Sequence, residues 1–179
     1  MINYLRGTKD LVLTLAAHDA WILKWFVDAA YGVHKDMKGH TGGALTLGKG
    51  VPIGVSTKQK INTKSSTECE LVGTDDVMGH IIWTNYFLEA QGYGSRDTIL
   101  YQDNKSAILL EKNGKGSSGK RTKHINIRYF FIKDRIANGE LKVDFCLTDK
   151  MLADFFSKPT QGSKFTDFRD QVLGMKELE

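Results

Sequence analysis

The strongest constraint on the fold is the segment 21–27, WILKWFV, which is apolar on both of the faces that alternate along a β-strand, apart from Lys24. A strand with one solvated face alternates apolar and polar residues, so this segment predicts a central strand that is covered on both sides. The segment stops at Asp28, and the loop-like residues AAYG follow. The chain therefore needs layers on both faces of a sheet, and it places a carboxylate at the end of the central strand.

One domain accounts for the whole length. A chain of 179 residues buries roughly two-thirds of its unfolded surface, and neither of its two prolines lies in a linker-like tract. No apolar run approaches the roughly 18 residues of a membrane span, and the N-terminus lacks the order of a secretory signal. Cys69 and Cys146 show no metal-ligand spacing, which favours a reducing compartment. We expect the tryptophans, Trp21, Trp25 and Trp83, to lie in the core.

With the strand at 21–27 counted first, the chain predicts three strands, a helix, a strand, two helices, a strand and a final helix. The order Ser65-Ser66-Thr67-Glu68 is typical of a capping box and predicts a helix from there to about residue 90. Further strands are predicted at 42–47, 53–57, 98–102 and 141–146, and further helices at 106–110, 125–136 and 149–159. This order favours an α/β domain with a mixed sheet and helices packed on it.

Acidic residues stand at the ends of predicted strands and the starts of predicted helices. Asp28 and Asp103 each follow an apolar strand, while Glu70 and Asp154 lie in early helical turns. If the fold brings them together, their like charges require cations, and Mg²⁺ prefers such oxygen ligands. The alternative is that these acids are turn formers and helix-dipole partners. Both interpretations stay open on pattern alone, as do four rival carboxylates, Asp75, Asp76, Asp144 and Asp149.

Five strings in order resemble the ribonuclease H domain of copia-type LTR-retrotransposon polyproteins. They are VDAAYG, TKQKINTKSSTECEL, YQDNKSAI, RTKHINIRYFFIKDRI and LTDKMLADFFSKP, and the resemblance covers about residues 20–175. It implies an α/β, RNase H-like fold with a five-stranded mixed β-sheet flanked by α-helices. It also implies a Mg²⁺-dependent endoribonuclease with two bound ions, for which Mn²⁺ can substitute.

The family's D-E-D-D carboxylate set maps onto this sequence as Asp28, Glu70, Asp103 and Asp154. Glu70 is preferred to Glu68 because the family's acid precedes an apolar or aromatic residue, here Leu71, and because Glu68 already has a capping role. Asp149 is the main rival of Asp154, and we interpret it as the cap of the last short helix.

The chain departs from related enzymes at two places. Retroviral and cellular ribonucleases H carry a histidine in a mobile loop before the last helix, but residues 147–150, LTDK, are short and contain none. Phe130 stands where the family often has another histidine. His124 does match the family, and local packing at a helix start and a substrate contact are both open to it.

The resemblance implies an RNA–DNA hybrid as substrate, whose phosphates and 2′-hydroxyls must be recognised together. The net charge is only +4, but basic residues cluster in two stretches, 58–64 and the Gly- and Ser-rich 112–123. Candidate hybrid contacts in and directly after these stretches are Lys58, Lys60, Lys64, Ser65, Ser66, Thr67, Lys120, Arg121, Lys123 and His124. For each lysine taken singly, a solvated surface charge is the favoured interpretation, and the acid-free clusters are stronger evidence than any one member.

The expected mechanism divides the carboxylates between two ions. One ion near Asp28 and Asp154 would generate the attacking hydroxide, and the other, near Asp28, Glu70 and Asp103, would stabilise the departing 3′ oxygen. Cleavage would leave a 5′ phosphate and a 3′ hydroxyl. Two alternatives remain: a weakly active or inactive hybrid-binding or tethering module, and an RNase H-fold DNA nuclease or integrase.

The resemblance also suggests a place in a longer polyprotein. Residues 1–19 resemble the end of the reverse transcriptase polymerase or connection region, 20–160 the ribonuclease H domain, and 161–179 a C-terminal helical tail. We therefore expect the polymerase domain of the same polyprotein as a partner. The expected location is the cytoplasm, within a virus-like particle, with no membrane association.

Overall fold

The structure is a computed structural model that describes residues 2–17, 22–93, 97–113 and 123–176, without the side chains of residues 123–127 and 129. Its strands are β1 (Ala16–Ala17), β2 (Ile22–Ala30), β3 (His40–Thr46), β4 (Gly48–Lys49), β5 (Ile53–Lys58), β6 (Asp97–Gln102) and β7 (Lys142–Phe145). Its α-helices are α1 (Ile2–Gly7), α2 (Ser66–Ala90), α3 (Lys105–Asn113), α4 (Lys123–Ala137), α5 (Asp154–Ser157) and α6 (Gly162–Val172). A short 3₁₀ turn, Thr148–Lys150, precedes α5.

The main sheet has five strands in the order β5-β3-β2-β6-β7, so β2 is its central strand, as predicted. β2 and β5 pair antiparallel with β3, while β6 pairs parallel with both β2 and β7. The predicted mixed five-stranded sheet and the predicted order of its elements are confirmed.

Both faces of β2 are covered, which is why its sequence is apolar apart from Lys24 and Asp28. Leu23, Trp25 and Val27 pack in one cluster with apolar residues of α2. Phe26 points to the opposite face, where it joins a second cluster that includes Phe168 of α6. The two clusters supply the layers that the sequence predicts.

β2 extends further than predicted. Ala29 and Ala30 continue the antiparallel ladder with β3, opposite Thr41 and His40, and both alanines are buried. Asp28 therefore lies inside the strand, two residues before its end, and the prediction that the strand stops at Asp28 is wrong. α2 packs closely over the strand at Ala29, so a small side chain fits at that position.

The capping box of α2 forms as predicted. The Ser65 hydroxyl accepts a hydrogen bond from the Glu68 backbone N–H at 3.2 Å, and the Glu68 carboxylate accepts one from the Lys64 N–H at 2.7 Å. Further along α2 one expectation fails, because Trp83 is 56% exposed and stacks on Phe87 outside the core. It lies on the side of the helix that faces away from the sheet.

The two ends of the chain lie together on the domain. The Thr14 N–H donates to the Leu173 carbonyl at 2.8 Å, and Tyr4 packs edge-on against Phe165 of α6. β1 pairs with β4 in a small separate sheet. Within the described residues, the structure contains no helix that is both long enough and apolar enough to cross a membrane.

Candidate carboxylate site

Three acidic side chains from three elements meet at one edge of the main sheet. Asp28 lies on β2, Glu70 lies early in α2, and Asp103 follows β6 directly. Each offers one carboxylate oxygen, and these three oxygens lie within 4.8 Å of one another. The parallel register of β2 and β6 explains why Asp28 and Asp103 are neighbours. Phe26 lies opposite Tyr101, and two more residues along each chain segment lead to Asp28 and Asp103.

Glu70 reaches the sheet because α2 lies close to β2. A Cβ atom added at Gly73, one turn further along the helix, would lie 3.1 Å from the Ala29 Cβ. Glu70 accepts a backbone hydrogen bond from Ala29, but its second oxygen, Oε2, is buried and has no partner among the described residues. The absence of a side chain at Gly73 thus lets α2 lie close enough to β2 for Glu70 to reach the sheet.

The electrostatics of Glu70 favour a bound cation. Burial, followed by the charges of Asp28 and Asp103, raises the pKa of Glu70 to about 9. A buried carboxylate with an unpartnered oxygen and two acidic neighbours either holds a proton or needs a positive ion. Three converging carboxylate oxygens are the hard donors that Mg²⁺ prefers, so these residues fit the metal implied by the sequence.

The fourth predicted carboxylate, Asp154, adjoins this group but is held differently. It is 1% exposed at the start of α5, and both of its oxygens face ammonium groups. Lys158 Nζ lies 2.7 Å from Asp154 Oδ1 and 3.0 Å from Asp28 Oδ1, and Lys164 Nζ lies 2.8 Å from Asp154 Oδ2. Asp154 is therefore linked to Asp28 through the Lys158 ammonium.

Asp28 belongs both to the group with Glu70 and Asp103 and to the ion pairs of Lys158 with Asp154. Its pKa is raised mainly by burial, against a hydrogen bond from the Ser157 hydroxyl and the positive charge of Lys158. Burial acts to lower the pKa of Lys158, but its hydrogen bonds and ion pairs with Asp154 and Asp28 outweigh this effect and raise it. The ammonium thus stays charged between the two carboxylates.

A second glycine lets α5 approach the sheet. Gly42 lies opposite Asp28 in the ladder between β2 and β3, and a Cβ atom there would lie 2.5 Å from the Ala153 carbonyl oxygen and 2.7 Å from the Ser157 nitrogen. Since both of those atoms are backbone, no side-chain rotation would relieve the overlap. Gly42 is what allows Asp154 and Lys158 to reach Asp28.

The rival carboxylates lie apart from this group. Glu68 caps α2, Asp75 pairs with Arg128, and Asp144 is exposed on β7. Asp76 accepts a hydrogen bond from Thr41, and Asp149 is exposed in the 3₁₀ turn. The interpretation of Asp149 as the cap of the last short helix is wrong, because Asp149 lies within the 3₁₀ turn and α5 begins later, after Ala153, without a side-chain cap.

The predicted hybrid contacts are distributed unevenly. Lys60, Lys64, Ser65 and Ser66 are exposed before and at the start of α2, and Thr67 is half-buried there. Lys58 is exposed as well, but it pairs with Asp36 at 2.9 Å. Lys120 and Arg121 lie outside the described residues. Lys123 and His124 begin α4, where only the backbone is described.

Sequence reasoning missed the side chains that contact the carboxylates. Ser157 and Lys158 are three and four residues after Asp154, the spacing at which side chains share a helix face, so a local signal was present. Thr148 donates a hydrogen bond to Asp103 Oδ2 at 3.0 Å and Lys164 pairs with Asp154, contacts for which the sequence carries no pattern.

Comparison with curated proteins finds plant retrotransposon polyproteins. The chain is 32% identical over 176 residues to the retrovirus-related Pol polyprotein from transposon TNT 1-94 of Nicotiana tabacum, covering 98% of this chain and 13% of that protein. It is 30% identical over 174 residues to the corresponding polyprotein from transposon RE1 of Arabidopsis thaliana, covering 96% of this chain and 12% of that protein. The chain thus spans only about an eighth of the length of these relatives. No protein-family profile matches it.

Solved structures of ribonuclease H1 share the fold. LC11-RNase H1 in complex with an RNA/DNA hybrid superposes with a TM-score of 0.54 at 11% identity, covering 75% of this chain and 92% of that one. RNase H1 from the halophilic archaeon Halobacterium salinarum superposes with a TM-score of 0.52 at 11% identity, covering 82% of this chain and 98% of that one. At this level of identity the likeness establishes an RNase H-like fold.

Proposed function

Because this chain is an RNase H-like domain homologous to the Pol polyproteins of copia-type retrotransposons, we propose that it is a divalent-metal-dependent endoribonuclease acting on the RNA strand of RNA–DNA hybrids. One observation carries the proposal. The oxygens of Asp28, Glu70 and Asp103 converge within 4.8 Å, and the buried Glu70 Oε2 lacks a partner among the described residues. Such a group is stable as a set of carboxylates only with a cation.

The proposed metal ligands follow from the carboxylate positions. Asp28, Glu70 and Asp103 would hold one Mg²⁺, and Asp28 and Asp154 would hold a second; Mn²⁺ can replace either. When bound, two such ions supply an activated water and a positive charge at the departing 3′ oxygen of a phosphodiester, leaving a 5′ phosphate.

The protein's own groups orient the carboxylates. The Ser157 hydroxyl donates to Asp28, and the Thr148 hydroxyl donates to Asp103 Oδ2. These bonds fix the rotation of two ligands before any ion arrives, which reduces the reorganisation that metal binding requires. Burial of Asp28 and Glu70 excludes bulk water from the inner side of the group.

The proposed hybrid surface lies around the start of α2. Lys60, Lys64 and Ser66 are exposed in the segment that leads into α2 and at the start of the helix, where ammonium groups meet phosphates and a hydroxyl can meet a 2′-hydroxyl. The basic segment with Lys120, Arg121, Lys123 and His124 is proposed as a second contact with the nucleic acid. LC11-RNase H1, which shares the fold, has been solved with an RNA/DNA hybrid bound.

The proposed context is reverse transcription. The matched relatives are Pol polyproteins, so we propose the polymerase domain of the same polyprotein as the partner and a virus-like particle in the cytoplasm as the site of action. Residues 1–19 would be the end of the polymerase or connection region, 20–160 the nuclease domain and 161–179 a helical tail.

The proposal is tested by hydrolysis of a hybrid labelled on its RNA strand, with Mg²⁺ and with Mn²⁺. Asp28→Asn and Asp103→Asn should each lower the rate by at least about 100-fold, because a lost metal ligand removes several kcal/mol of transition-state stabilisation. Asp144→Asn, the same change at an exposed carboxylate, should retain activity within about twofold. Full activity in both site variants would refute the assignment.

A weakly active hybrid-binding module is a second candidate, favoured by the Lys158 ammonium that already pairs with Asp28 and Asp154. Hybrid binding without cleavage in either metal would support it. A DNA duplex, included in the same assay, separates both functions from the DNA nuclease alternative, which requires duplex cleavage with the hybrid left intact.

A further inference from the structure

The ammonium of Lys158 lies between two carboxylates of the candidate site. Its Nζ is 3.0 Å from Asp28 Oδ1 and 2.7 Å from Asp154 Oδ1, and both carboxylates are at least 98% buried. The lysine itself is 38% exposed, so its stem leads from the site to solvent. Its position follows from α5, because Asp154 and Lys158 are four residues apart and share one helix face.

A divalent ion held by both Asp28 and Asp154 must lie between their oxygens, which is where the ammonium lies. Mg²⁺ binds carboxylate oxygens at about 2.0–2.1 Å, closer than the ammonium contacts in this structure. Two cations cannot occupy that space together, since their charges repel at short range. Binding of an ion at this position is therefore an exchange with Lys158.

We propose that Lys158 is an internal counter-cation that a divalent ion must displace from between Asp28 and Asp154, and that it thereby sets the metal concentration at which this position fills. The inference rests on the proposed function, because it concerns the second of the two proposed metal positions. Lys158 acts through the carboxylates, so it is a positioning residue of the site.

In the other half of the site, Lys158 contacts only the shared Asp28. Among the described residues, no lysine or arginine forms an ion pair with Glu70 or Asp103. The first ion therefore binds at Asp28, Glu70 and Asp103 without displacing a side chain from Glu70 or Asp103. The two positions should fill at different metal concentrations, and the difference should depend on Lys158.

Lys164 keeps Asp154 paired when Lys158 is displaced. Its ammonium lies 2.8 Å from Asp154 Oδ2, on the oxygen that Lys158 does not contact, and it makes no contact with Asp28. When Lys158 leaves, Lys164 can therefore continue to balance Asp154. Removing Lys158 opens the position between the two carboxylates, whereas removing Lys164 does not.

The experiment counts bound ions directly. Wild type, Lys158→Met and Lys158→Gln are titrated with Mn²⁺, and free Mn²⁺ is followed by electron paramagnetic resonance, with Mg²⁺ calorimetry as a second measurement. In both variants the dissociation constant of the weaker ion should fall by at least about tenfold, because a competing unit charge is gone. The tighter ion should gain less than the weaker one, because Lys158 contacts only Asp28 among its three ligands.

Lys150→Met is the matched control, since Lys150 is exposed in the neighbouring 3₁₀ turn and the change in net charge is identical. It should move both dissociation constants by less than about threefold. Metal-free Lys158→Met should also unfold at a lower temperature than wild type and gain more from added Mg²⁺, because its two carboxylates have lost their internal cation.

An unchanged or weaker second ion in both Lys158→Met and Lys158→Gln would overturn the inference, as would an equal effect of Lys150→Met. Lys158→Gln retains hydrogen-bonding capacity and serves if the methionine variant does not fold. These binding measurements need no hydrolysis. Failure to cleave a hybrid would therefore count against the proposed function alone.

Discussion

The two halves of the carboxylate site share Asp28, yet they balance charge in opposite ways. On one side, Glu70 and Asp103 converge on Asp28 without an ammonium partner among the described residues. On the other side, Asp154 and Asp28 enclose the Lys158 ammonium, and Lys164 holds the outer oxygen of Asp154. One half needs an external cation or a proton, and the other carries its own cation.

The difference shows that burial of an acid does not by itself identify a metal position. Glu70 and Asp154 are both nearly inaccessible to solvent, but only Glu70 has a buried oxygen without a partner. A buried charge must be compensated locally, because the interior solvates ions poorly. What distinguishes the half with Glu70 is that no lysine or arginine among the described residues pairs with Glu70 or Asp103, and that can be read only from side-chain contacts.

The largest effect is expected for Gly42→Ala, which should move Asp154 and Lys158 away from Asp28. The new Cβ would lie 2.5 Å from the Ala153 carbonyl oxygen, so α5 must move away from β3. We expect a loss of about 1–3 kcal/mol in the free energy of unfolding, measured by denaturant titration, because the overlap is with backbone. Hybrid hydrolysis should also fall sharply, since Asp154 moves with α5.

The first metal ion should survive that change. Mn²⁺ binding to Asp28, Glu70 and Asp103 in Gly42→Ala should stay within about threefold of wild type, because those ligands lie on β2, on α2 and after β6. Simultaneous loss of both ions in a folded variant would show that the halves are not separable.

The stability of the metal-free protein should depend on pH through Glu70. The pKa of Glu70 is raised from 4.5 to about 9, so between these values the metal-free folded state holds a proton that the unfolded state has lost. Its stability contribution is therefore fully present below about pH 4.5 and is lost as pH rises towards 9. The slope is at most about 1.4 kcal/mol per pH unit.

The window from pH 7 to 9 isolates Glu70. The buried Glu111 also has a raised pKa, but at about 7, so its contribution ends near the lower limit of this window. Denaturant titrations of the metal-free protein should show stability falling from pH 7 to 9 in wild type and a flatter profile in Glu70→Gln. Equal slopes in the two proteins would contradict the assignment.

The smallest expected effect compares two glycines of α2. Gly79 is exposed with nothing within 4 Å of an added Cβ, so Gly79→Ala should stabilise the protein by about 0.5–1 kcal/mol through helix propensity. At Gly73 the added Cβ would lie 3.1 Å from the Ala29 Cβ, which offsets that gain. Thermal unfolding should rank Gly79→Ala above Gly73→Ala.

The same pair of variants separates the halves of the site. Gly73→Ala should weaken the tighter ion, because Glu70 lies one turn away on the displaced helix, while the contacts of Lys158 with Asp28 and Asp154 remain. Gly79→Ala should leave both ions unchanged. Equal stabilisation by the two substitutions would mean that close packing at Gly73 does not position Glu70.

Much of the fold could be predicted because its signals are local. The apolar segment at 22–27 forms the doubly covered central strand, and Ser65 and Glu68 form the predicted capping box. The capping role of Glu68 left Glu70 as the candidate ligand, and Glu70 is the residue that meets Asp28 and Asp103. Periodicity and capping depend on neighbours within a few residues, so they can be read from the sequence.

The errors arose where tertiary contacts override local patterns. Asp28 lies inside β2 because β3 pairs with Ala29 and Ala30, residues whose sequence resembles a loop. Trp83 is exposed because the sheet covers only one side of α2. In both cases a distant element decided the outcome, and no local pattern records its position.

By itself, the sequence determined the order of strands and helices and the central strand, because alternation, helical spacing and capping act over short stretches. The family resemblance of its motifs then singled out the four carboxylates that could form a site. Only the tertiary structure decided how charge is distributed among those carboxylates. Lys158 and Asp28 are 130 residues apart, and they meet because α5 packs against β3 at Gly42. Compensation of a buried charge depends on distances of a few ångströms between such remote residues, and packing alone sets those distances.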